Sequence, residues 1–206
     1  MHQRTKKDAM RERPRTPRRE EKIRRVLGMR QSDLTLILAN IHDPHNVSAI
    51  YRSCDAFGVP RVHLYYTDTA FPRLGEKSSA SARKWVETAR HADAESLFSA
   101  MKAQNMRVYA TSCSAAAKPV YELDLLAPTA FLLGNEHRGV DPALAERCDG
   151  EVYIPMYGMI QSFNVSVAAA ILLAEASRVR REAGRYERPT YAEDELAALT
   201  DAWLKK

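Results

Sequence analysis

Cysteine is scarce: Cys54, Cys113 and Cys148 are odd in number, and no two share a CxxC spacing. A disulfide framework is excluded, and reduced thiols in a reducing compartment are expected. Long apolar runs are missing too. The longest strongly apolar helical candidate, Ala168 to Ala176, is interrupted by Glu175 and falls well short of the about 20 residues that a membrane span needs. The first residues are charged where a signal peptide would be apolar, so the expected location is cytoplasmic, with no membrane partner. No GxGxxG follows the first apolar run, and neither GxxxxGKS/T nor GxSxG occurs, which leaves no dinucleotide fingerprint, P-loop or nucleophile elbow. His42, Asp43 and His45 lie close together, but no further ligand follows at a metal-binding spacing, so no metal is expected.

Charge is present in quantity and unevenly placed. Residues 1–30 carry 12 Lys or Arg against 4 Asp or Glu, more than the whole chain's +5, so the rest of the chain is net acidic. In MRERPRTPRREEKIRR (10–25), Pro14 and Pro17 oppose a helix, and a charged helix is expected from about Arg18. Such a cluster attracts polyphosphate without reading sequence, or else is a solvated tail. It has almost no aromatic or leucine face to enter a membrane.

Past the arm, LTLILA (34–39), VHLYY (62–66), VYAT (108–111), AFLLG (130–134) and VYIP (152–155) read as short buried strands. Helical patterns lie at Val47 to Phe57, Ala92 to Met106, Pro142 to Cys148 and Ser162 to Glu182. This alternation predicts an α/β domain with a mainly parallel sheet. The tail EDELAALTDAWLKK (193–206) places Leu196, Leu199 and Trp203 on one helical side, which should dock on the body.

Three loops at strand ends mix polar side chains with Gly or Pro before a helix, where α/β sheets bind ligands. In NIHDPHN (40–46), Asn46 is placed to cap a helix starting at Val47. On that helix Val47, Ile50, Cys54 and Phe57 form the inward stripe, with Ser48, Arg52 and Asp55 on another side and an Arg52–Asp55 ion pair within reach. In LLGNEHRGVD (132–141), Gly134 and Gly139 bracket a carboxylate and allow close approach to backbone amides. IPMYGMIQSFNVSVAAA (154–170) enters a small-residue helix through Ser162, a candidate cap, and Asn164.

Taken in order, Asn40, Pro44, Asn46, Ala49 and Arg52, then LLGNExxGV, then IPMxGxxQSxNVSVAAA resemble the three signature motifs of the SPOUT methyltransferase superfamily. They are more closely similar to those of its TrmH family of RNA ribose 2′-O-methyltransferases. The likeness runs from about Asp33 to Arg181, and the arm and tail resemble those of the family's tRNA-modifying members. Ser48 stands where much of the superfamily has Gly, in keeping with the TrmH branch.

The resemblance implies an α/β fold whose mainly parallel sheet, flanked by helices, carries a C-terminal deep trefoil knot. No strand count would supply the knot, since knots are rare. It implies a basic tRNA-binding arm at 1–31, a methyltransferase domain at 32–182 and a helical extension at 183–206, assembled as a homodimer. S-adenosylmethionine would be the cofactor, wrapped by Thr111, Leu133, Gly134, Glu136, Gly139, Ile154, Met156, Ser162, Phe163 and Asn164. Catalysis would fall to Arg52, Asn46, Ser162 and Asn164, and RNA contacts to Arg11, Arg15, Arg18, Arg19, His45, Arg178 and Arg180. The implied product is a guanosine 2′-O-methylated at position 18 of the tRNA D-loop. Ribosomal RNA or another tRNA site is the alternative within the class, and a noncatalytic RNA-binding knot protein the alternative outside it.

Overall fold

The computed structural model describes residues 16–68, 70–71 and 82–206. In chain order the elements are α1 (Pro17–Gly28), β1 (Leu34–Ala39), α2 (Pro44–Ala56), β2 (Arg61–Tyr65), β3 (Glu87–His91), α3 (Ala94–Ala103) and β4 (Arg107–Thr111). They continue with β5 (Lys118–Pro119), β6 (Thr129–Leu133), α4 (Pro142–Ala145), β7 (Gly150–Tyr153), α5 (Val165–Glu182) and α6 (Glu193–Leu204).

The seven strands form one sheet in the order β3-β2-β1-β6-β4-β7-β5, with every neighbouring pair parallel. Parallel sheets need both faces covered, and β1 is buried at all six positions. Its side chains alternate between two cores. Leu34, Leu36 and Leu38 pack with Val47 and Ile50 of α2 and Leu172 and Leu173 of α5; Ile37 and Ala39 pack with Leu97 and Met101 of α3 and Leu144 of α4. A third cluster joins Ile23 and Leu27 of α1 to Trp203 and Leu204 of α6. The tail therefore docks as expected, and the arm helix is what it docks against.

Several helix starts differ from the expectations, whereas α4 begins at Pro142 as expected. Pro17 does not oppose α1 but opens it, with Thr16 accepting from the Arg19 amide; proline's missing N–H costs nothing in the first turn. Likewise α2 starts at Pro44, with Asp43 as cap accepting from the His45 amide, so Asn46 is not the cap. For α5 the cap is Asn164, which accepts from the Ser166 amide, and not Ser162. The expected inward stripe of α2 is present, with Val47, Ile50 and Cys54 fully buried and Phe57 half-buried against the same core, but it is wider than expected, since Ser48 and Tyr51 are buried too.

Arg180, expected to reach RNA, is wholly buried. It donates to the carbonyls of Leu125, Ala127 and Asp33, to Gln31 and to the Asp33 carboxylate, fastening α5 to the segments entering β1 and β6. A guanidinium has five fixed donors, and here they are satisfied inside the protein.

Candidate active site

The three loops meet at the carboxyl ends of β1, β4, β6 and β7. Asn40 ends β1 in the left-handed region, at φ 50°. Its side-chain oxygen accepts from the Thr67 amide at 2.9 Å, and its own carbonyl accepts from Asn135 Nδ2 at 2.8 Å, which ties the first loop to the exits of β2 and β6.

The second loop folds back on itself, with Asn135 and Gly139 exchanging backbone hydrogen bonds of 2.9 and 2.8 Å. Gly139 has φ 70°. At Gly134 a Cβ would lie 2.1 Å from the Gly139 backbone, so only glycine lets the hairpin close.

Glu136 points from this hairpin to the start of α2. It accepts from the His42 amide at 2.9 Å, the Asp43 amide at 3.2 Å and Asn46 Nδ2 at 2.9 Å. Burial alone would raise its pKa, but these donors outweigh burial and hold it below the ordinary glutamate value. Asn46 passes the connection on, its Oδ1 accepting from Asn164 Nδ2 at 3.1 Å, while Asn164 Oδ1 accepts from the Ser166 amide and hydroxyl. One chain of hydrogen bonds thus runs through all three loops, and each amide's orientation is set by its partner.

Behind it lies a cavity of about 570 Å³. Thr111, Leu133, Gly134, Glu136, Gly139, Ile154, Met156, Ser162, Phe163 and Asn164, which sequence reasoning grouped, all line it. Half of the twenty lining residues were not expected there, among them Ser112, Cys113, Asn135, His137 and Arg138. The strand-end position of Ser112 and Cys113, immediately after Thr111, was the available signal.

The structure does not bring Arg52 to this cavity. It lies six residues past Asn46, about 9 Å along α2, exposed to solvent and absent from the lining. Nor does it pair with Asp55, whose carboxylate takes Arg30 instead. Of the expected RNA contacts, Arg18, His45 and Arg178 are exposed. Arg178 is bound to Glu175 and Glu182, and Arg19 donates to the Leu204 carbonyl at the end of α6. Arg11 and Arg15 lie outside the described residues. Among the described residues no group of three or more His, Cys, Asp or Glu is arranged to hold a metal, and no helix is long and apolar enough to cross a membrane.

Comparison with known proteins bears on what such a cavity serves. The chain is 43% identical over 94% of its length to the whole of a tRNA (guanosine(18)-2'-O)-methyltransferase of Thermus thermophilus. Its fold matches the crystal structure of the Aquifex aeolicus TrmH/SpoU tRNA modifying enzyme with a TM-score of 0.84, at 36% identity over 91% of this chain and 95% of that one. It also matches the SpoU methyltransferase AviRb of Streptomyces viridochromogenes in complex with the cofactor AdoMet, with a TM-score of 0.67 at 26% identity over 75% of this chain and 60% of that one. Residues 33–174, which span β1, all three loops and most of α5, match the SpoU rRNA Methylase family, and the chain belongs to that family.

Proposed function

We propose that this protein is a tRNA ribose 2′-O-methyltransferase that methylates guanosine 18 of the D-loop, using S-adenosylmethionine. The observation that carries this reading is the likeness to the whole of the Thermus thermophilus enzyme over 94% of this chain, which reaches into both the arm and the tail. The family's name refers to ribosomal RNA, so the motif region alone leaves the RNA open.

The cavity suits the cofactor. It is roomy, mixes apolar walls (Leu133, Ile154, Phe163) with polar ones (Thr111, Asn135, Ser162), and has a glycine where backbone must come close. When bound, S-adenosylmethionine supplies an electrophilic methyl group. The ten grouped residues would hold it, and the Glu136–Asn46–Asn164 chain would keep the second loop closed.

A neutral 2′-hydroxyl is a poor nucleophile. Arg52, exposed on α2 outside the cavity lining, would meet the hydroxyl and the adjacent phosphate from the RNA side, lowering the cost of the alkoxide. An arginine with a pKa above about 12 does not serve as general base, so phosphate or solvent takes the proton. Ser162 and Asn164 orient the same groups from the cavity side.

The enzyme works as a homodimer. Tyr157, Met159 and Ile160 of the third loop and Val167 of α5 are 94%, 100%, 61% and 45% exposed, an apolar surface beside the cavity that a second copy would cover. The chain around β6 and β7 forms a deep trefoil knot, a reading supported by the strand order and the fold match. Residues 1–31 form the tRNA-binding arm, 32–182 the catalytic domain and 183–206 the extension, with Arg11, Arg15, Arg18, Arg19, His45 and Arg178 meeting the phosphates. The three free cysteines fit a cytoplasmic location.

A loop nucleotide can be splayed out so that its ribose reaches the strand ends. The test combines purified protein, labelled S-adenosylmethionine and unmodified tRNA transcript, followed by mapping of the methylated nucleotide. Label on guanosine 18 is expected. Label on ribosomal RNA alone would move the substrate, and no transfer to either would leave a noncatalytic RNA-binding protein.

A further inference from the structure

The end of α2 away from the cavity is held by the two chain extensions. Arg30, just past α1, is 1% exposed. Its guanidinium donates to the Val59 carbonyl at 3.0 Å and to the Asp55 carboxylate at 2.5 Å, and lies 5.2 Å from the centroid of the Trp203 ring of α6. Beside it the Gln31 amide donates to the Gly58 carbonyl at 2.8 Å and the Tyr186 hydroxyl to the Phe57 carbonyl at 2.9 Å. Gly58 has φ 80°, and a Cβ there would stand 2.9 Å from the Met29 carbonyl. The arm backbone therefore rests on the turn that ends α2.

Burying a guanidinium is costly, and an apolar side chain of similar volume often stabilises as well. What arginine adds is direction. Its planar fork meets two acceptors at fixed angles, where a lysine offers a point charge. Asp55 is three residues from Arg52, on the neighbouring turn of the same helix.

We infer that Arg30 is a positioning residue: through Asp55 it locks the α1–α6 pair to the end of α2 and so sets where Arg52 stands when the extensions hold tRNA. This rests on the methyltransferase reading above and adds that the extensions serve the chemical step as well as affinity.

Three single variants of the full chain test it: Arg30→Met, Arg30→Lys and Asp55→Asn, together with the double variant Arg30→Met/Asp55→Asn. The readouts are the single-turnover rate of methyl transfer at saturating tRNA and S-adenosylmethionine, the dissociation constant of each ligand, and the thermal midpoint. Arg30→Met and Asp55→Asn should each slow the saturated single turnover, by up to about 100-fold for a displacement near 1 Å, with both affinities unchanged. Arg30→Lys should fall between, and the double variant should be no slower than the worse single one. A lowered midpoint with an unchanged saturated rate would make the joint merely structural and overturn the inference. Weaker tRNA affinity with an unchanged saturated rate, or additive losses in the double variant, would overturn it as well. Should Arg30→Met fail to fold, Arg30→Lys and Asp55→Asn decide alone. A wild-type protein that methylates no RNA overturns both readings, whereas an active wild type with unaltered variants overturns only this one.

Discussion

Gly134 and Glu136 stand two residues apart and serve the same hairpin by opposite means: Gly134 lets it close by having no side chain, and Glu136 ties it to the start of α2 by accepting from three donors there. Gly134→Ala should therefore weaken cofactor binding more than it weakens the fold. The sheet is untouched, but a methyl 2.1 Å from the Gly139 backbone must push the hairpin open. Calorimetric titration with S-adenosylmethionine should show the affinity falling at least about tenfold, while overpacking costs about 1–3 kcal/mol in urea unfolding. Arg52→Ala should do the reverse. Because Arg52 does not line the cavity, methyl transfer should be lost while cofactor affinity stays within about a few fold; near-normal turnover would remove Arg52 from the mechanism. The ten cavity residues were legible through the family resemblance of the three motifs, which local periodicity alone would not have supplied. The fate of Arg180 was not: its acceptors belong to segments about 50 and 150 positions distant in the chain, and no local pattern distinguishes a buried arginine from a solvated one.

At the scale of elements, strands with apolar runs were legible and those without were not. The β3 sequence, ETARH, has only its last residue buried, as an edge strand can, and β5 is two residues long. Their partners create them. One consequence is chemical. His63 of β2 and His91 of β3 stack, with Nδ1 and Nε2 2.9 Å apart. Burial, and then the neighbouring His91, push His63 down to about 3; burial also lowers His91. Both folded-state values lie below the unfolded value near 6.5, so the unfolded chain binds more protons as pH falls. Stability from the pair is fully present above about pH 6.5 and is lost as pH drops below it, with each extra proton contributing about 1.4 kcal/mol per pH unit. Urea midpoints measured from pH 7 to 4.5 should fall, and His63→Gln should flatten that fall. An equal fall in the variant would place the acid sensitivity elsewhere.

At the scale of the whole molecule, the basic arm and the acidic body predict a separation of affinity from catalysis. Deleting residues 1–15 removes Arg11 and Arg15 but leaves the Thr16 cap and the α1–α6 packing in place. Affinity for tRNA should drop, and the slope of log affinity against log salt should flatten by about 0.7–0.9 for each phosphate that the shortened arm no longer neutralises. Filter binding across a salt series measures it; an unchanged slope would assign the phosphates to Arg18, His45 and Arg178. The parallel sheet was legible in the alternation of runs, but its strand order was not, because pairing between distant strands leaves no local mark.

That order also sets a timetable for the chain leaving the ribosome. β1, β2 and β3 can pair as they emerge, but β1 must wait for β6 on its other side, and both neighbours of β4, β6 and β7, come later still. At about 5–20 residues per second, the stretch from Thr111 to Leu133 takes about 1–4 s to synthesise. Until it is complete β4 has no partner strand at all, and Leu36, Ile37 and Leu38 offer an apolar, unpaired edge to whatever is nearby. A nascent chain stalled in this window should therefore need a chaperone, and a chain truncated before residue 129 should aggregate rather than fold, which pelleting of the truncated protein after expression would check.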